Sequence, residues 1–247
     1  IAIAHQQPDQ AHQIVALPVA VHVGLAGAHA AGRGEHPVER RCMHPHGDRA
    51  RTAGIAIGFG AQAVFDAQRA MAQLGLAAQL RVPALHHHPR QAMAQLEALV
   101  AELGRPVLVG SSLGGYYATH LAERHGLPAL LINPAVRPHL RFDGYLGPQK
   151  NYYSDETWEL TADHVTALAE LDVSTLQEPA HYQVWLQTAD ETLDYRDAQA
   201  YYRACALRIQ AGGDHGFQGF AERLPMLFAF AGIPRHLWQD IDFSALN

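Results

Sequence analysis

Three side chains in this sequence have the types and the order needed for nucleophilic attack on an acyl carbon: Ser112, Asp190 and His215. A serine hydroxyl is a weak nucleophile until a base takes its proton. A histidine serving as that base needs an acid to orient it. Ser112 lies at the centre of Gly110-Ser111-Ser112-Leu113-Gly114, whereas the positions flanking Ser111 at the same spacing are Val109 and Leu113. Glycines at 110 and 114 let the chain double back, because a side chain there would strike the neighbouring strand or helix. The simpler reading of the pentapeptide is a Gly/Ser turn in which Ser112 caps the following helix.

Other acids and histidines compete for the two partner roles. Asp194 precedes a helical stretch with Asp197 three residues on, the place of an N-cap. Glu191 adjoins Asp190 and is assigned to solvent. Asp214 adjoins His215, which points the two side chains apart. His120 and His125 belong to the stretch after Ser112, where His125 suits the negative end of a helix. His164 and His181 follow no strand.

Residues this far apart meet only if the chain returns each of them to one edge. The patterning predicts that return. Short apolar runs at 55–57, 80–82, 106–110, 129–132, 182–186 and 207–210 alternate with helical stretches at 65–74, 90–103, 116–125, 195–204 and 217–231. The clearest helix is Arg90–Leu103, with Ala92, Met93, Leu96, Leu99 and Val100 at helical spacing and Gly104 closing it. Ala129-Leu130-Leu131-Ile132 lacks polar alternation, as expected of a parallel strand buried on both faces. Strand and helix in alternation predict an α/β fold, a mostly parallel sheet with helices on both faces. In such a sheet functional residues gather at the carboxyl ends of the strands. Ser112, Asp190 and His215 each follow one, in the order of the α/β-hydrolases. Residues 139–180 form a polar and aromatic insertion after the strand that follows the Ser112 helix, either a surface excursion or a cap over a pocket at the sheet's carboxyl edge.

Three segments follow from composition: 1–53, 54–232 and 233–247. Residues 1–58 contain seven of the 17 histidines and no Tyr or Trp before Phe59, a composition that contributes little to a core. The first segment is expected to be poorly ordered, the second to be the catalytic domain, and the third a tail. A His-rich metal-binding arm using Cys42, His44 and His46 is the weaker alternative, because the spacing does not repeat. His86-His87-His88 are assigned no ligand role, since three adjacent imidazoles cannot converge on one metal. The net charge of −6 argues against nucleic acid as a partner. Cys42 and Cys205 are too isolated for a disulfide framework or a zinc site. No apolar run is long enough for a membrane span and no secretory signal stands out, so the expected location is the cytoplasm.

Val-Gly-Ser-Ser-Leu-Gly-Gly-Tyr-Tyr-Ala-Thr (109–119), Asn-Pro-Ala-Val-Arg-Pro (133–138), Thr-Ala-Asp-Glu-Thr-Leu-Asp-Tyr (188–195) and Gly-Gly-Asp-His-Gly-Phe (212–217) together resemble the YqiA-type esterases. The resemblance covers about residues 65–232. It implies a small α/β-hydrolase acting on carboxylic esters or acyl thioesters without cofactor or metal, with Ser112 as nucleophile, Asp190 as acid and His215 as base. It also implies an oxyanion hole made by the backbone N–H of Leu113 and of a residue in the first strand's loop. Family members carry Leu-His-Gly-Phe in that loop. Here Ile57-Gly58-Phe59-Gly60 is the nearest match, which makes Phe59 the expected second donor. The expected partner is a small acyl ester. The competing expectation is a non-catalytic binding module of the same fold that has lost half its oxyanion hole.

Overall fold

The computed structural model describes residues 54–58, 61–142, 145–150 and 157–246. Expectations for residues 1–53, including the His-rich arm and its order, lie outside the described residues. Among the described residues eight strands and six α-helices follow in order: β1 (Gly54–Ile57), α1 (Ala61–Gln73), β2 (Leu80–Arg81), α2 (Pro89–Leu103), β3 (Val107–Ser111), α3 (Leu113–His125), β4 (Ala129–Ile132), β5 (Gly147–Lys150), β6 (Thr157–Leu160), α4 (Ala162–Ala169), β7 (Tyr182–Gln187), α5 (Tyr195–Tyr201), β8 (Ala206–Gln210) and α6 (Phe220–Phe230). Six strands form one sheet in the order β2-β1-β3-β4-β7-β8, and every neighbouring pair is parallel. This is an α/β fold with its helices on both faces.

The apolar runs within β3, β4 and β7, at 107–109, 129–132 and 184–186, are explained by what covers them. Leu108, Leu131, Val184 and Leu186 point to a core shared with Leu96 and Val100 of α2 and Tyr117 and Leu121 of α3. Their neighbours Val107, Val109, Leu130, Ile132 and Trp185 point the opposite way, to Val64 and Met71 of α1 and Leu224 and Phe228 of α6. Successive strand residues alternate between faces, and neither face meets water. Both faces are therefore apolar.

Several boundaries move from their expected places. The helix after the elbow begins at Leu113, three residues before the apolar stretch at Tyr116 that signals it in sequence. The last helix begins at Phe220 instead of Phe217, because Phe217 adopts a left-handed backbone (φ 67°) in the loop that carries His215. The insertion at 139–180 holds a hairpin, β5 with β6, followed by α4. Residues 233–246, set apart in sequence as a tail, pack on the α1–α6 face: Phe243 is buried, and Trp238 donates from its indole N–H to the Ile233 carbonyl at 2.9 Å.

Candidate active site

The elbow is built from three backbones in contact. A Cβ at Gly114 would lie 2.1 Å from the Ile57 carbonyl oxygen, and one at Gly110 would lie 2.4 Å from the Gly114 carbonyl oxygen. Neither approach is open to any residue but glycine, so the glycine frame around Ser112 is required by the meeting of β1, β3 and α3. Ser112 itself sits at φ 55°, ψ −125°, a strained conformation for a residue with a side chain. It precedes α3, yet its hydroxyl caps nothing. The simple N-cap reading of the pentapeptide is set aside on that observation.

The hydroxyl turns instead toward His215. Ser112 Oγ lies 3.0 Å from His215 Nε2, and the other ring nitrogen, Nδ1, lies 3.0 and 2.9 Å from the two carboxyl oxygens of Asp190. A carboxylate can only accept, so this contact places the ring proton on Nδ1 and leaves the Nε2 lone pair facing the serine. The Asp190 side chain is almost wholly buried, 2% exposed, against 21% for His215. Asp190 Oδ1 also accepts from the backbone N–H groups of Thr192 at 2.9 Å and Leu193 at 2.8 Å, which fix the carboxyl before the histidine reaches it. The loops after β7 and β8 are tied together as well. Ala189 N–H donates to the Gly212 carbonyl at 3.1 Å, and Gly212 N–H donates to the Thr188 hydroxyl at 3.0 Å.

The rivals fall elsewhere. Asp194 caps α5, accepting from Arg196 N–H at 2.9 Å, and its carboxyl is held below the usual range by that bond first and by the Arg196 charge. His125 bonds Glu97 at 2.7 Å on the outer helix layer. His120 faces the Leu171 carbonyl, and burial lowers its basicity. His164 takes part in the N-terminal capping box of α4. Glu191 keeps an exposed side chain, but its carboxylate accepts from the backbone N–H of His215 at 3.0 Å, a contact that sequence adjacency to Asp190 did not suggest.

Of the two expected oxyanion donors, Leu113 begins α3 next to Ser112. Phe59 lies outside the described residues. Gly58 before it has φ 63°, and a Cβ there would meet the Ser111 carbonyl at 2.9 Å, so the end of β1 runs against the elbow. Among the described residues no group of three or more His, Cys, Asp or Glu side chains could hold a metal ion, and no helix is long and apolar enough to cross a membrane.

Comparison with known proteins agrees with this architecture. An esterase domain of a Rhodothermus marinus protein superposes with a TM-score of 0.53 at 16% identity, covering 74% of this chain and 88% of that one. Est1E from Butyrivibrio proteoclasticus gives 0.50 at 12% identity, over 78% of this chain and 91% of its own. At these identities the likeness is one of fold, and the fold is that of the α/β-hydrolases. A UPF0227 protein of Shewanella woodyi (strain ATCC 51908 / MS32) is 27% identical over 157 residues, 58% of this chain and 78% of the relative. The sequence model of UPF0227 matches residues 61–232, nearly the span over which the motifs resemble YqiA-type esterases. The chain belongs to UPF0227, described as an uncharacterised protein family.

Proposed function

We propose that the protein is a serine hydrolase that cleaves acyl esters or thioesters through an acyl-enzyme on Ser112. The observation that carries this reading is the hydrogen-bonded line Ser112 Oγ, His215 Nε2, His215 Nδ1, Asp190. In the proposed sequence, His215 Nε2 takes the hydroxyl proton as Ser112 Oγ bonds the acyl carbon. The Nδ1–H stays on the ring, and Asp190 stabilises the imidazolium that forms. Collapse of the tetrahedral intermediate expels the alcohol or thiol, which receives the proton from Nε2. Water then repeats the cycle on the acyl-enzyme and releases the carboxylic acid. The developing oxyanion would be met by Leu113 N–H and by a donor from the loop after Gly58, each worth about 10²–10³ in rate for a group of this kind.

Hydrolysis of a chromogenic short-chain ester by the wild-type chain and by Ser112→Ala tests the reading. The wild type should turn over, and the variant should fall to background while keeping its circular dichroism and melting temperature. A folded wild type with no turnover on ester or thioester would support the binding module in place of the enzyme.

A further inference from the structure

Two buried amides sit beneath the loop that carries His215. Asn133, at the end of β4, is 2% exposed, and Gln187, at the end of β7, is 0% exposed. Asn133 Oδ1 accepts from Gln187 N–H at 2.9 Å, while its Nδ2 donates to the carbonyls of Asp214 at 3.0 Å and His215 at 3.3 Å. Gln187 Oε1 accepts from the N–H groups of Asp214 at 3.0 Å and Gln218 at 2.9 Å, and its Nε2 donates to the Gln218 carbonyl at 2.8 Å. Each amide therefore works in both directions, as acceptor and as donor. A carboxylate or an apolar side chain of the same size cannot.

The backbone at both sites is shaped to this use. Asn133 has φ 40°, a left-handed conformation that asparagine tolerates better than most residues. Gly213, in the His215 loop, has φ 79°, and a Cβ there would come within 1.9 Å of Gln187 Oε1. The loop is thus seated directly on the amide.

We infer that Asn133 and Gln187 are positioning residues for His215, an inference that rests on reading Ser112, His215 and Asp190 as the reacting set. Asp190 fixes the imidazole ring at one edge. The main chain of His215 is held separately, its carbonyl by Asn133 and its N–H by Glu191. Release of the main chain lets Nε2 drift from Ser112 Oγ without touching the substrate-binding surface. The loss therefore falls on kcat and leaves KM nearly unchanged.

Three variants test this. Asn133→Gly keeps the left-handed backbone and deletes the amide. Asn133→Asp keeps the shape but turns an acceptor toward two carbonyls. Gln187→Met removes the second amide at similar volume. Each is compared with wild type for ester kcat and KM, for the rate of fluorophosphonate labelling of Ser112, and for melting temperature. Expected is a fall in kcat approaching 10²-fold, the scale of a misplacement of about 1 Å. KM should stay within about threefold, labelling should slow in parallel, and Asn133→Asp should be at least as impaired as Asn133→Gly. A wild type labelled at Ser112 together with folded variants labelled at the wild-type rate overturns the positioning role alone. A wild type that is not labelled overturns the hydrolase reading and the positioning role with it. Loss of the folded state in all three variants would assign the amides to folding and overturn the inference.

Discussion

Asp190 and Asp194 lie four residues apart and are chemically identical, and their surroundings assign them different work. The Asp190 side chain is buried, takes two backbone N–H bonds and faces His215. Asp194 is exposed and caps α5. Asp190→Asn should therefore lower kcat by about 10³–10⁴-fold, because an amide at that place favours the wrong ring tautomer. Asp194→Asn should change it by less than about twofold, since asparagine caps helices equally well. Steady-state kinetics on one ester decides between them, and the reverse ranking would transfer the acid role to Asp194. The three residues proposed to react could be picked out in sequence because each follows a strand end marked by glycine or by an apolar run. Asn133, Gln187 and Glu191 were not. Their roles come from contacts spanning 24 to 82 positions, of which Gln187 to Gln218 and Asn133 to His215 are examples, and a buried amide in a strand has no pattern of its own.

At the scale of elements, α4 is joined to the rest of the chain by a cluster of rings. His164 lies 4.4 Å from His88, 5.7 Å from His87 and 5.3 Å from Trp158, ring centre to ring centre, and His87 stacks on Trp158 at 4.9 Å. Arg90 of α2 reaches across to Asp163 and Glu170 at 2.8 Å each. Those exposed pairs contribute little. The imidazole of His164 matters more. Its Nδ1 accepts from Thr161 N–H at 3.2 Å in the capping box of α4, and its Nε2 is buried without a hydrogen-bond partner. Burial first, then the nearby His88 and His87, lowers its pKa to about 4, against a smaller opposing pull from Asp163. The unfolded chain, with an ordinary value near 6.5, takes up the proton first. Stability is therefore full above about pH 6.5 and falls as pH drops toward 4. His164→Gln keeps an acceptor for the cap and does not titrate. Its melting temperature should lose less between pH 6.5 and 4.5 than that of wild type. Equal acid sensitivity in the two proteins would remove His164 as the cause. Sequence gave no warning of this insertion's order, because Gly147-Pro148-Gln149-Lys150 has neither apolar alternation nor β-branched residues and becomes a strand only by pairing with Thr157–Leu160.

For the whole molecule, charge bears on substrate class. Between Asp155 and Asp197 the chain carries eleven acidic residues and one basic residue, Arg196. Arg137 and Arg141 precede this stretch and could have offered a basic spot to a polyanion, but Arg137 faces Asp172 at 3.7 Å and Arg141 is paired with Asp197. If part of this stretch overhangs Ser112, a leaving group as anionic as coenzyme A would meet an unfavourable field. At equal acyl length, kcat/KM should favour a neutral ester over the acyl-coenzyme A, and the gap should narrow as salt screens the field. A salt-independent preference for the coenzyme A thioester would contradict that proposal. The sheet that gathers these groups was legible because its inner strands are apolar on both faces. The packing of residues 233–246 was not, since Trp238, Ile241 and Phe243 are spaced to no regular period. In the proposed mechanism one hydroxyl, Ser112, is activated by His215. Peptide mapping after treatment with a fluorophosphonate measures it most directly. A single adduct on Ser112, abolished in His215→Ala, is expected; an adduct on Ser111, or none on the folded wild type, would overturn the assignment of Ser112 as nucleophile.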